Sequence, residues 1–228
     1  MEKILLSIMP DLFSIDNILF TLGSQSVSLL EFVAVLSGLT CVYLATRAKV
    51  ANFWVGYLYN ILLFLLFYQK GLYSSMLVQP VSFVINFFGH YRWTHPSKGE
   101  ENKNNQLKIT LLTTKKRIYY VVQLIVIAAI WGTALTYLDN IWPEIFSEAK
   151  RPYLDAFVTV TILTAQYLSA QKKLDCWGAW LTVNVTNIIL YILAGLIFMP
   201  LVSAGYLILA VFGFTMWRRE MRNESISK

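Results

Sequence analysis

Residues 84–93 read VINFFGHYRW and residues 208–217 read ILAVFGFTMW; laid on each other they bring Gly89 onto Gly213 and Trp93 onto Trp217. The register holds without a gap from residues 31–93 over 155–217, an offset of 124. Within it Thr40 meets Thr164, Tyr43 meets Tyr167, Lys49 meets Lys173, Asn60 meets Asn184 and Gly71 meets Gly195. Fourteen of the 63 aligned pairs are identical, and several are polar or glycine, so shared apolar composition does not account for them. Two copies of one unit predict a pseudo-symmetric architecture.

Composition places that architecture in lipid. With 57% hydrophobic and 14% charged residues and a mean hydropathy of +0.55, the 228-residue chain carries too few charges to cover a soluble globule. A helix needs about 20 mainly apolar residues to cross the hydrocarbon. Seven segments approach that length, near 29–46, 52–69, 72–93, 118–138, 153–170, 177–195 and 198–217. The stretch from Lys3 to Phe20 is broken by Pro10, Asp11 and Asp16 and has no small-residue cleavage site, so it is expected to lie as an interfacial amphipathic helix. Two cysteines, Cys41 and Cys176, are too few for a disulfide framework or a four-ligand metal site.

The net charge of +6 follows loop parity and does not form a nucleic-acid face. With the N-terminus outside, fifteen Lys and Arg fall on inner loops and the C-terminal tail, among them Arg47, Lys49, Arg92, Lys115, Lys172, Lys173 and Arg218. Only Lys3, Lys70, Lys150 and Arg151 fall outside, an asymmetry that predicts N-out, C-in with an odd number of spans. The repeat starts in span one and again in span five, so both copies share one orientation. The expected fold is an all-α membrane protein of seven transmembrane helices in a 3+1+3 parallel repeat. Its parts are an N-terminal segment (1–27), a first three-helix bundle (28–93), a cytoplasmic linker (94–117) expected as a charged solvated loop, a connector helix (118–140), an outer loop (141–152), a second bundle (153–218) and a cytoplasmic tail (219–228).

Polar side chains at bilayer depth are costly unless they face protein or a watery cavity. In span six Trp177, Trp180, Asn184, Asn187 and Tyr191 share one helical face and offer rings, donors and acceptors to one guest. The bland alternative is an interfacial Trp anchor with Asn residues that bind helices together. Span three carries Gln79, Phe83, Asn86 and His90 on one face, expected to look into the same cavity from the other half. Asn60 in span two is the repeat mate of Asn184, and span five adds Asp155, Thr159 and Gln166. Glu31 and Asp155 are mates near the outer helix ends, either drawing cations in or simply hydrated. There is no zinc-protease, nucleophile-elbow or phosphate-loop motif, so an enzyme is not expected.

The residues also carry a resemblance. Asn52 through Gly56, Gly71-Leu-Tyr73 with Gln79 and Asn86, Gly89 through Trp93, Asp155-Ala with Thr159, Ala165-Gln166, Lys172-Lys173, Trp177-x-x-Trp180-x-x-x-Asn184 and Gly213 through Trp217 resemble the PnuC family of vitamin transporters over about residues 28–220. The resemblance implies a SWEET-like plan, a homotrimer in the bacterial inner membrane, and facilitated diffusion of nicotinamide riboside, trapped by a cytoplasmic kinase. It implies no cofactor, metal or coupling ion. His90 stands where many members have Trp or Tyr, so thiamine and riboflavin stay open as substrates, and a non-transporting sensor as a function. A flat pyridinium cation suits Trp177, Trp180 and Tyr191 by stacking and cation–π attraction, with Asn60, Gln79, Asn86, Thr159, Gln166, Asn184 and Asn187 left for its carboxamide and hydroxyls.

Overall fold

Among the described residues seven α-helices follow one another: α1 (Leu29–Thr46), α2 (Ala51–Gln69), α3 (Tyr73–Thr94), α4 (Thr114–Ile141), α5 (Pro152–Ala170), α6 (Cys176–Leu193) and α7 (Phe198–Ile226). The computed structural model describes residues 13–23, 25–102, 105–142, 151–193 and 195–226. Five helices, α1, α2, α4, α6 and α7, are long and apolar enough to cross a membrane by length and composition. The other two, α3 and α5, hold Gln79, Asn86 and His90, and Asp155, Thr159 and Gln166. These are the helices whose polar residues stand out in the sequence.

The repeat is written into the backbone. Helices α1 and α5 both end through a left-handed residue, Ala48 at φ 50° and its mate Lys172 at φ 51°. Lys49 N–H donates to Leu44 C=O at 3.1 Å, and Lys173 N–H donates to Leu168 C=O at 2.9 Å. Helices α2 and α6 end at Gly71 (φ 66°) and Gly195 (φ 70°), a conformation glycine adopts without steric cost. Every one of these pairs is separated by 124 residues.

Packing follows the same rule. Helices α1, α2, α3, α5, α6 and α7 contact one another in that order and α7 returns to α1, closing a ring; α4 lies outside it against α5. The contacts that join the halves, α1 with α7 and α3 with α5, are equivalents under the repeat. Outward faces are apolar and open, as at Ile118, Val122, Ile125 and Ile130 on α4. That is the surface a bilayer covers.

Three expectations need correction. First, Ile18–Leu22 (β1) and Gln25–Ser28 (β2) form an antiparallel hairpin, so Ile18 to Phe20 are strand and not interfacial helix; residues 1–12 lie outside the described residues. The hairpin is fastened, since Gln25 Oε1 accepts from Ile197 N–H at 2.7 Å and Phe198 N–H at 2.9 Å. Second, the linker is not a solvated loop: Leu107, Ile109 and Leu112 are buried in the same cluster as Trp93, Trp177 and Trp217. Their apolar side chains contribute more by burial than the neighbouring charges do by hydration. Third, α7 runs to Ile226, so most of the tail is helix.

Ser28 starts α1 with a capping box, its hydroxyl accepting from Glu31 N–H at 3.2 Å while Glu31 Oε2 accepts from Ser28 N–H at 3.2 Å. The other oxygen of Glu31 pairs with Lys70 at the end of α2. Glu31 is therefore neither a free cation attractor nor a hydrated end group.

Candidate functional site

At the end of the ring where the linker lies, four aromatic rings make a floor. Phe53 of α2 meets Trp93 of α3 edge-on, centroids 5.0 Å apart at 89°, and their mates Trp177 and Trp217 meet at 5.3 Å and 85°. The close approach needs glycine. A Cβ on Gly89 would come within 2.8 Å of Phe53 Cε1, and one on Gly213 would overlap the Trp177 ring. Trp93 and Trp217 touch each other at 5.8 Å, joining the two sets. Each indole also donates across the halves, Trp93 Nε1 to Ser169 C=O at 3.1 Å and Trp217 Nε1 to Ala45 C=O at 2.9 Å.

Two helical turns beyond the floor, Asn60 and Asn184 sit at equivalent places, 8% and 6% exposed. Asn184 Nδ2 donates to Trp180 C=O at 2.8 Å, which leaves its carbonyl oxygen for another partner. Trp180 is half-buried against the floor cluster, and Asn187 and Tyr191 are half-buried further along the same helix.

The halves differ at one helix contact. In the first half Gly56 faces Asn86, whose carboxamide occupies the space a Cβ would fill and donates to Phe53 C=O at 3.1 Å. At the mates of these positions stand Trp180 and Ala210. A small residue with a carboxamide in one half becomes a large ring with a methyl in the other. Asymmetry is thus produced by exchanging size across one α2–α3 type of contact.

The span-three stripe divides. Asn86 binds α2, Gln79 donates back to Ser75 C=O at 3.2 Å, and Phe83 and His90 join an aromatic group on the α2–α3 face. There His90 stacks on Phe53 at 5.4 Å and its Nδ1 lies 3.0 Å from the Tyr57 hydroxyl, with Trp54 edge-on at 5.1 Å. Phe83, Asn86 and His90 all meet α2, whereas Gln79 turns back on its own helix. In α5, Thr159 is half-buried and Gln166 Oε1 is buried without a hydrogen-bond partner; Asp155 is exposed. Trp177 is nearly wholly buried in the floor, its Nε1 also unpartnered.

The sequence stripes miss Lys172. It is 0% exposed, its ammonium 4.6 Å over the Trp93 ring and without a hydrogen-bond partner. Burial pushes its pKa down to about 8, against a partial upward pull from Glu220 and Glu224 of α7. A charged residue in a polar turn gives no periodic signal, so only its resemblance to the dibasic motif marked it. Also missed is Gly38, whose missing side chain leaves room for the hydroxyl of Tyr206 and the ring of Tyr59. Among the described residues no group of three or more His, Cys, Asp or Glu is placed to hold a metal ion.

Known proteins resemble this chain in sequence and in fold. A profile described as nicotinamide mononucleotide transporter matches residues 28–219. The nicotinamide riboside transporter PnuC of Escherichia coli is 28% identical, with 93% of this chain and 96% of that protein covered. The PnuC protein of Neisseria mucosa is 27% identical over 91% of this chain and 81% of its own length. The riboflavin/roseoflavin transporter RibM of Streptomyces davaonensis is 25% identical over 90% and 92%. The crystal structure of the vitamin B3 transporter PnuC superposes with a TM-score of 0.68 at 22% identity, covering 86% of this chain and 83% of that one, a likeness of fold. A profile that takes in both repeats, the linker and α4 leaves one assignment: this chain belongs to the nicotinamide mononucleotide transporter family.

Proposed function

We propose that the chain carries nicotinamide riboside across the inner membrane by facilitated diffusion, with its site between the two repeats. The single observation that carries this is the pair Asn60 and Asn184, buried at equivalent positions of α2 and α6, with Trp180 on one side only. Buried carboxamides are held in apolar surroundings only where they have partners, and a guest's carboxamide and hydroxyls provide them. Trp180 and Tyr191 supply ring faces for a flat cation. Thr159, Gln166 and Asn187 add polar groups from α5 and α6. Gln79 and Asn86 serve the frame more than the guest, given the bonds they already make.

The ring of contacts supports a 3+1+3 parallel repeat, with α4 as the connector outside it. Basic residues gather at the linker end, which we assign to the cytoplasm, N-out and C-in. Transport is passive and is made one-way by a cytoplasmic kinase; three copies assemble in the membrane. Calorimetric titration of the purified protein with nicotinamide riboside, thiamine and riboflavin tests the substrate. Saturable heat with the first alone is expected, and abolished in Trp180→Ala and Asn184→Ala. Binding of thiamine or riboflavin in its place would move the assignment to that vitamin, and unchanged binding by both variants would remove the site.

A further inference from the structure

Residues 107–113 lie across the aromatic floor and are fastened to both halves. On the first half, Leu107 N–H donates to Trp93 C=O at 3.2 Å. The segment before it is drawn to α3 by the Arg92–Glu100 ion pair at 3.0 Å. On the second half, Thr110 N–H donates to Lys172 C=O at 3.2 Å and Leu174 N–H donates to Thr110 C=O at 2.9 Å, a short parallel bridge. Lys173 Nζ adds a bond to Thr110 Oγ1 at 2.7 Å. Asp175 then accepts from Leu112 N–H at 2.8 Å and from Arg117 Nε at 2.6 Å. Beneath these bonds Leu107, Ile109 and Leu112 are buried against Trp93, Trp177 and Trp217.

The fastening is unequal. One main-chain bond holds the strap to Trp93, whereas two main-chain bonds and two bonds involving side chains hold it to the α5–α6 turn and the start of α6. The equivalent turn of the first half, around Ala48, has no such bridge among the described residues. We propose that residues 107–113 are the clasp of a gate at the linker end, which opens by parting Leu107 from Trp93 while the strap stays on the second half.

Lys172 gives this parting a driving force. Its ammonium is buried on Trp93 without a hydrogen bond, and withdrawal of Trp93 would open it to water. A buried cation of this kind opposes closure, so the clasp and the two cross-half indole bonds hold the gate shut against it. The gate rests on the carrier reading, but the strap's unequal hold does not need a ligand.

Residue-resolved amide hydrogen exchange on the unaltered chain in lipid nanodiscs tests it. The Leu107 amide is expected to exchange about tenfold or more faster than those of Thr110, Leu112 and Leu174. Equal rates, a reversed order, or all four exchanging as free amides would overturn the clasp. A second arm oxidises Thr110→Cys/Lys173→Cys to a disulfide, with Thr110→Cys alone as control. Counterflow at the unoxidised rate is expected, and loss on oxidation that reduction restores would contradict it. Wild-type protein without counterflow would instead sink the carrier reading, and the exchange order would still decide the clasp.

Discussion

Trp93 and Trp217 donate their indole N–H groups to Ser169 and Ala45, carbonyls that are themselves repeat mates, so each half grips the other through one bond of the same kind. Trp93→Phe and Trp217→Phe keep a ring and lose the donor. Each should cost about 1 kcal/mol, the net worth of a typical hydrogen bond. Because the two rings touch, the double variant should depart from the sum of the singles. Denaturant titration in detergent micelles measures all three.

Gly213 and Gly178 should respond oppositely to alanine. At Gly213 a Cβ would overlap the fully packed Trp177 ring, and overpacking of this kind costs about 1–3 kcal/mol. At Gly178 a Cβ would meet nothing within 4 Å, so Gly178→Ala should gain up to about 1 kcal/mol from helix propensity. Thermal unfolding of the two variants in one detergent gives the sign of each.

Glu31 is a structural acid, committed to Ser28 N–H and to Lys70. Glu31→Gln keeps an oxygen for the Ser28 cap but loses the ion pair with Lys70, so it should lower stability by up to about 1 kcal/mol while the KM for uptake stays at the wild-type value. A raised KM with unchanged stability would restore the reading in which this acid draws cations in.

Lys172 links stability to pH. Its pKa falls from 10.5 to about 8 in the folded chain, so folding favours the neutral amine. The penalty for burying the charge is full below about pH 8, shrinks as pH rises from there toward 10.5, and is gone above it. Wild type should therefore gain stability between pH 8 and 10 relative to Lys172→Met, which has no such charge. Unfolding midpoints of the two proteins across that range check the difference, because other titrating groups are common to both.

Much of this fold is legible in the chain because a repeat needs no reference beyond itself. The offset of 124 pairs six of the helices and Gly89 with Gly213, and it foretells the buried asparagines. The helical period also puts Trp180 and Asn184 on one face. It cannot tell which side chains on a polar stripe are already engaged: Asn86 and Gln79 spend their donors on backbone carbonyls at distances the sequence does not carry. Trp177 reads as a ligand residue, and its burial in the aromatic floor depends on a glycine 36 positions later, which the helical period does not show. The linker misleads for a related reason. Its charges dominate its composition, while three apolar side chains and a carboxylate from the α5–α6 turn decide where it lies.

The central claim is that the two repeats move one vitamin between them, and counterflow in proteoliposomes tests it most directly. Vesicles loaded with unlabelled nicotinamide riboside and diluted into a trace of labelled compound should show transient label uptake with wild type and little with Trp180→Ala or Asn184→Ala. Excess thiamine or riboflavin outside should leave that uptake unchanged. Absence of counterflow by protein that binds the vitamin would mean a receptor and not a carrier, and would contradict the account.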